Sequence, residues 1–386
     1  MSVIKPSPSP SPAELFFNPH VAALPKYNSG VTLAVARAAS GLARIARLGS
    51  NENPHGCSPA VLQALVGNME ISRYSDPGCE WLRAVLGEHL DVDPAEIVIG
   101  NGSEEMIAAS ARAFLAAGST ALTVAPSFGL HEIEPLAVGA KIVKVAMTPE
   151  FDFDVAGLEA ALALEPNLFF LPSPWNPVGA ALDAANLDRV IQAASSATMF
   201  VLDEAYREFA SPAIPDGLAA LRRAGNPHIV LRTFSKAFGL AGLRVGYAVC
   251  SSARVARMLS VAKTPFNVNV MAQVAAVAAL GDQAWMRETT GLIRQERGRV
   301  RTALESLGLR VAPSEGNFLF FDVRRNSAEV AAELLKRGVI VKPWMEQKYQ
   351  TCIRSSIGSR EENDLFLEAL SAVVAPVRYA GVAAVR

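Results

Sequence analysis

A chain of 386 residues that is 51% hydrophobic and 19% charged can bury a substantial core and has room for two or three units of ordinary domain size, which excludes a disordered chain. Lys and Arg number 36 against 37 Asp and Glu; the net charge of -1 gives no bulk field for nucleic acid or an anionic membrane, so the ligands should be small molecules held locally. The four cysteines, Cys57, Cys79, Cys250 and Cys352, lack the close paired spacings of zinc sites and disulfide frameworks, and no metal site is expected.

In chain order, Lys5 and the Pro6-Ser7-Pro8-Ser9-Pro10-Ser11-Pro12 run come first. Residues 1–12 are expected to be a disordered, polyproline-like tail, unlike a secretory leader because no apolar segment accompanies it. Nor is there an uninterrupted apolar stretch of about 18 residues to span a membrane, and the expected location is the cytoplasm. Residues 13–50 offer no strand with a sheet partner of its own and are expected to lie across the C-terminal unit and the mouth of the site. Residues 51–270 read as a large α/β unit. Short, largely apolar runs at 97–99, 120–124, 141–145, 168–171, 199–202, 228–232 and 245–249 alternate with helix-like segments, the pattern of a mostly parallel sheet with helices on both faces.

Four motifs fall at the ends of those strands. Gly100-Asn101-Gly102-Ser103-Glu104-Glu105 lies between a strand and a helix, where backbone N–H groups at a helix N-terminus can hold phosphate. A plain turn capped by Ser103 is the simpler alternative. Pro172-Ser173-Pro174-Trp175-Asn176-Pro177 is a stiff turn that can aim the Asn176 amide at a ligand hydroxyl, although a turn alone would explain it. Leu202-Asp203-Glu204-Ala205-Tyr206 puts Asp203 and Tyr206 at a carboxyl end, where open α/β sheets bind ligands. An acid buried there needs a cationic partner such as a protonated pyridine nitrogen, unless Asp203 merely caps a short helix. In Thr233-Phe234-Ser235-Lys236-Ala237-Phe238-Gly239-Leu240, Lys236 projects from a strand end into a cleft. Desolvation there would lower its pKa and leave a neutral amine able to attack an aldehyde, with Ser235 and Arg244 placed to bind an anion. By itself a Ser-Lys pair is an ordinary surface feature, and only the company of the other three motifs changes that.

Residues 271–386 read as a linking region of one or two long helices, to about residue 307, followed by a smaller α+β unit. Strands are expected at 317–323 and 339–342, and helices at 327–336 and 360–373. No internal repeat is present.

Together these motifs resemble the fold-type I, class I/II pyridoxal-phosphate-dependent aminotransferases, and within them the histidinol-phosphate aminotransferase family. The resemblance covers residues 27–373 and is most specific in Ser50-Asn51-Glu52-Asn53-Pro54, residues 100–104, residues 203–206 and residues 232–247. It implies that Lys236 carries pyridoxal 5'-phosphate as a Schiff base and shuttles a proton. It also implies that Asp203 pairs with the pyridinium nitrogen and that Asn176 and Tyr206 bind the ring hydroxyl oxygen. By the same resemblance Phe128 stacks on the ring, and the cofactor phosphate sits among Gly102, Ser103, Glu104, Ser235 and Arg244. Tyr74 reaches in from a second subunit, which implies a homodimer with shared sites. Arg354, in Cys352-Ile353-Arg354-Ser355-Ser356, grips a substrate carboxylate or phosphate; Tyr27, Asn51 and Lys342 complete the substrate side. The implied reaction moves an amino group from an amino donor, histidinol phosphate or a relative, to a 2-oxo acid such as 2-oxoglutarate.

Several positions depart from the family pattern. Lys342 replaces an arginine, Ser29 a proline, Trp175 a small polar residue, and Phe128 and His131 stand where tyrosines are common, while Trp344 and Glu346 crowd the loop before Arg354. Such additions suit a different donor, so a transaminase for an aromatic or specialised amino acid is an alternative. So is a decarboxylase resembling threonine-phosphate decarboxylase, and, outside enzymes, an effector-binding regulator.

Overall fold

The computed structural model describes residues 17–67 and 71–374. The expected tail at 1–12 lies outside the described residues. Strand β1 (Ala46–Arg47) comes first. The seven apolar runs then form β2 (Ile97–Gly100), β3 (Thr120–Ala125), β4 (Lys141–Ala146), β5 (Leu168–Pro172), β6 (Met199–Asp203), β7 (His228–Thr233) and β8 (Gly246–Cys250) of one sheet, ordered β2-β8-β7-β6-β5-β3-β4. β8 runs antiparallel to β2 and β7, and all other neighbours are parallel.

These strands carry continuous apolar runs because both faces of the sheet are covered. Phe169 and Leu171 of β5 join one hydrophobic core, whereas Leu168 and Phe170 join a second, and β6 divides Phe200 and Leu202 from Met199 and Val201 in the same way. Helices Gly102–Phe114, Leu130–Ala137, Val155–Leu162, Ala184–Ala193 and Gly217–Ala224 follow β2 to β6 in turn. This alternation brings the carboxyl ends of β5, β6 and β7, and the residues just beyond them, to one edge of the sheet. β7 and β8 pair antiparallel, so the segment between them, which holds Lys236 and Arg244, returns to the same edge.

Two helices, Val270–Gly281 and Gln283–Ser306, follow, with the break at Asp282, whose carboxylate accepts from Trp285 N at 3.2 Å. A four-stranded sheet then forms in the order β12-β13-β10-β9 from β9 (Arg310–Val311), β10 (Phe318–Asp322), β12 (Lys342–Pro343) and β13 (Cys352–Ser356). Helices Ser327–Lys336 and Arg360–Val374 form where expected. The strand expected at 339–342 divides in two: β11 (Val339–Ile340) leaves the four-stranded sheet and pairs parallel with β1. The N-terminal segment expected at 13–50, of which residues 17–50 are described, therefore does have a sheet partner, at Ala46 and Arg47, contrary to the sequence-based expectation. Two residues are too few to show an alternation, and the pairing spans almost the whole chain (Ala46 N to Gly338 O 2.8 Å, Leu48 N to Ile340 O 2.8 Å).

Candidate active site

A cavity of ≈ 510 Å³ lies between the carboxyl edge of the seven-stranded sheet and the four-stranded sheet. It brings together Tyr27, Asn51, Ser103, Glu104, Phe128, Asn176, Asp203, Tyr206, Ser235, Lys236, Arg244, Lys342 and Arg354. Lys236 follows β7, and its Nζ donates to Ser50 O at 3.0 Å. Burial, and next the Arg354 charge, lower its pKa to about 8. Roughly a tenth of it is then the neutral, nucleophilic amine at pH 7. The loop that carries it packs tightly: Gly239 has φ +71, and a Cβ there would lie 1.7 Å from Gly56 O.

Beside the lysine, helix Gly102–Phe114 points its N-terminus at the cavity. The cap position is Asn101, not Ser103 as the simpler sequence alternative has it, and the Asn101 side chain donates to Asn267 O at 2.8 Å instead of capping the helix. The first N–H groups of the helix are thus left without a side-chain cap. Gly102 has φ +78, and a Cβ there would come 2.6 Å from Arg244 Nη2. Arg244 Nη1 reaches Ser235 Oγ at 3.5 Å and Nη2 reaches Glu104 Oε2 at 3.3 Å. Free N–H groups, a hydroxyl and a guanidinium converge where any side chain at 102 would intrude, a cradle suited to a phosphate group.

Asp203, at the end of β6, is buried. Its Oδ1 accepts from Ala205 N at 3.1 Å and its Oδ2 meets His131 Nε2 at 3.2 Å. His131 is fully buried, stacks on Phe170 with centroids 5.0 Å apart, and has no partner on Nδ1 among the described residues. Phe128 stands edge-on to His131 at 5.6 Å, and Tyr27 edge-on to Phe128 at 6.3 Å. Tyr206 accepts from Asn51 Nδ2 at 3.0 Å, and burial pushes its pKa up to about 12, so the phenol stays protonated and available as a donor. Asn51 is fully committed to protein: its N–H donates to Ser356 Oγ at 2.7 Å and its Oδ1 accepts from the same hydroxyl at 2.9 Å.

Arg354 and Lys342 are cross-strand partners on β13 and β12. Arg354, only 8% exposed, donates to Asn176 Oδ1 at 2.7 Å and Gly49 O at 2.6 Å, and its Nε has no hydrogen-bond partner among the described residues. Burial lowers the pKa of both, that of Lys342 to about 8, with the Arg354 charge adding to the effect. Neither has a carboxylate partner among the described residues, although Lys342 Nζ donates to Asn28 O. Two under-neutralised cations on one face of a cavity attract an anion.

Two residues named on sequence grounds lie elsewhere. Trp175, expected around the donor, is fully buried outside the cavity, with Nε1 donating to Pro126 O at 2.8 Å and its ring 4.7 Å from that of Phe153. Tyr74 does not line this chain's own cavity; it is 87% exposed and its ring lies 4.8 Å from that of Phe266. Trp344 and Glu346 do line the cavity. Sequence reasoning missed the pairing of His131 with Asp203, 72 positions away, and the wall residues Glu132 and Lys144. A lysine inside an apolar strand run was the available signal for Lys144, but lysines are ordinary on edge strands such as β4.

The family model for class I and II aminotransferases matches residues 43–370. Histidinol-phosphate aminotransferase 3 of Rhizobium meliloti is 43% identical over 351 residues, covering 90% of this chain and 95% of that relative. Histidinol-phosphate aminotransferase 1 of Mesorhizobium japonicum is 41% identical over 351 residues, with 89% and 95% covered. Among solved structures, the histidinol-phosphate aminotransferase of Sinorhizobium meliloti in complex with pyridoxal-5'-phosphate superposes with a TM-score of 0.86 at 30% identity, covering 94% of this chain and 98% of that one.

Proposed function

The chain belongs to the class I and II aminotransferase family, and from that membership we propose that it binds pyridoxal 5'-phosphate at Lys236 and transfers an amino group from histidinol phosphate, or a closely similar donor, to a 2-oxo acid. The cofactor fits the residues present: the cradle of Gly102, Ser103, Glu104, Ser235 and Arg244 suits its phosphate, and the buried Asp203 suits its pyridine nitrogen. Asn176 and Tyr206 would meet its hydroxyl oxygen and Phe128 its ring face. When bound, the group supplies a protonated ring that withdraws negative charge from the donor's Cα.

The rest of the work belongs to the chain. Lys236, with its pKa lowered to about 8, would be the base that takes the proton from the donor's Cα and passes it on to the cofactor's C4' carbon. Asp203 would face the ring nitrogen, and His131, stacked on Phe170, fixes the carboxylate's direction. Tyr206 stays protonated and is oriented by Asn51, which we therefore read as a positioning residue at the substrate mouth. Arg354 and Lys342 bind the anionic group of donor or acceptor, with Tyr27 over them. That pair, without a carboxylate of its own, is the observation that carries the choice of an anionic donor.

The same reading includes a homodimer in which Tyr74 enters the partner's phosphate cradle. It is supported by the exposure of Ile71, Tyr74, Trp81, Val66 and Phe266, an apolar set outside this chain's cavity. The organisation is a large cofactor-binding unit at 51–270 and a linking helix with a smaller unit at 271–386. The described part of the N-terminal segment, residues 17–50, packs on the smaller unit, supported by the β1–β11 pairing. Among the described residues no helix is long and apolar enough to cross a membrane, and a cytoplasmic setting accords with four free thiols.

The test supplies purified protein with pyridoxal 5'-phosphate, 2-oxoglutarate and a donor panel containing histidinol phosphate, histidine, and aromatic and basic amino acids. Glutamate should form fastest with histidinol phosphate, and Lys236→Ala should form none. Carbon dioxide without glutamate from any donor would establish the decarboxylase alternative instead.

A further inference from the structure

A second charged cluster lines the same cavity, with Glu132 from helix Leu130–Ala137, Lys144 from β4 and Glu346 from the loop after β12. Lys144 Nζ bridges two carboxylates, Glu132 Oε2 at 3.0 Å and Glu346 Oε1 at 2.9 Å. Both Glu346 oxygens are engaged, because Trp344 Nε1 donates to Oε2 at 3.3 Å. Glu132 is different: its Oε1 has no hydrogen-bond partner among the described residues, although Glu132 lines the cavity. One ammonium between two carboxylates leaves this cluster with a net charge of −1 while all three are ionised. The same cavity is also lined by the apolar side chains of Ile133, Leu136, Phe128 and Trp344.

A second observation points to a ligand in the same space. Arg354, more than nine-tenths buried, lines the cavity with no carboxylate to answer it among the described residues. The cavity lining thus combines a cation pair, apolar side chains and a held carboxylate with an open lone pair.

We propose that Glu132, oriented by Lys144, is the specificity-determining residue of the donor side, accepting a hydrogen bond from the ring N–H of an azole-bearing amino donor whose anionic group is held by Arg354 and Lys342. This rests on the transaminase function above and deepens it. The Lys144 bridge fixes the carboxylate so that little side-chain freedom is lost on binding, and Glu346 holds Lys144 in turn. A donor ring without an N–H covers Glu132 Oε1 and leaves that oxygen without a partner, which is how a polar site discriminates between rings of similar shape.

The experiment compares histidinol phosphate with phenylalaninol phosphate, which keeps the amine and the phosphate and exchanges the azole for a phenyl ring. The parent protein should prefer the azole in kcat/KM. In Glu132→Leu that preference should fall about tenfold, mainly through KM for histidinol phosphate. Glu132→Gln, which keeps an acceptor and loses the charge, should fall between. Cofactor absorbance and thermal unfolding of each variant report whether the site is intact. A ratio in Glu132→Leu within about twofold of the parent overturns the inference. Should Glu132→Leu fail to hold cofactor, Glu132→Gln decides by the same criterion. Absence of glutamate from every donor with the parent protein would sink the function itself, a separate outcome.

Discussion

Replacing Gly102 by alanine tests whether the turn after β2 is a phosphate cradle. At φ +78 the backbone conformation costs an L-residue about 1–2 kcal/mol, and the new Cβ would sit 2.6 Å from Arg244 Nη2. Arg244 is long enough to retreat, but retreat takes the guanidinium away from Ser235 and the helix N-terminus. A charge-assisted hydrogen bond to phosphate contributes about 1.5–3 kcal/mol, so its loss should raise the cofactor's Kd roughly ten- to a hundredfold. Gly118→Ala is the control: at φ +88 it carries a similar backbone cost, but nothing lies within 4 Å of the new atom. Cofactor-free protein of each variant is titrated with pyridoxal 5'-phosphate by absorbance and unfolded in urea. Both should lose about 1–2 kcal/mol of stability, and only Gly102→Ala should lose affinity. If Gly102→Ala binds cofactor within about twofold of Gly118→Ala, the cradle is assigned to the wrong residues.

Other consequences can be measured independently. Lys236 and Lys342 have pKa values lowered to about 8 from 10.5, so between those values each of these two side chains binds more protons in the unfolded chain than in the folded one. Their own contribution to stability of the cofactor-free protein therefore rises with pH from about 8 to about 10.5. Against it stands the fall contributed above pH 9 by the buried thiols of Cys79, Cys250 and Cys352, whose pKa values burial raises to about 11 for the first and about 12 for the other two. The measure is the difference between variants: Lys342→Met should lose stability relative to the parent as pH rises through this range in urea unfolding, whereas an identical pH profile would contradict the burial of Lys342. Arg232 donates to Glu204 Oε2 at 2.9 and 2.7 Å with both side chains buried, and Arg232→Met, which strands the carboxylate, should cost about 3–5 kcal/mol. A loss under about 1 kcal/mol in urea unfolding would show that solvent or Arg207 compensates. Mixing Tyr74→Ala with Lys236→Ala subunits should restore roughly a quarter of parental activity, because random heterodimers hold one complete site of two. No recovery after subunit exchange would mean that the site is not shared.

The central sheet was legible because its inner strands are apolar runs between breakers, as burial on both faces demands, while edge strand β4, only partly buried, still carries Ile142, Val143 and Val145 beside its lysines. β13 was not: Cys352-Ile353-Arg354-Ser355-Ser356 is fully buried yet polar, since Arg354 faces the cavity and Ser356 bonds Asn51. The two-residue strands β1, β9, β11 and β12 fall below the length at which any periodicity shows. Lys236, Asp203, Asn176 and Arg244 could be read because each sits in a local motif at a strand end. His131 could not, since its importance comes from Asp203 on another strand and Phe170 on a third element, contacts that exist only after folding. Trp175 misled for the converse reason: it adjoins Asn176 in sequence, but its indole turns into the core toward Phe153.

The groups suited to the cofactor and the cation pair suited to the substrate's anion stand on different sheets. Gly102, Asp203, Lys236 and Arg244 follow strands of the seven-stranded sheet, whereas Lys342 and Arg354 face each other across β12 and β13. Divergence within the lineage can therefore proceed on one scaffold while the other stays fixed: exchanging residues along β12, β13 and the loop joining them would recruit a new donor, and the inherited chemistry would carry over intact.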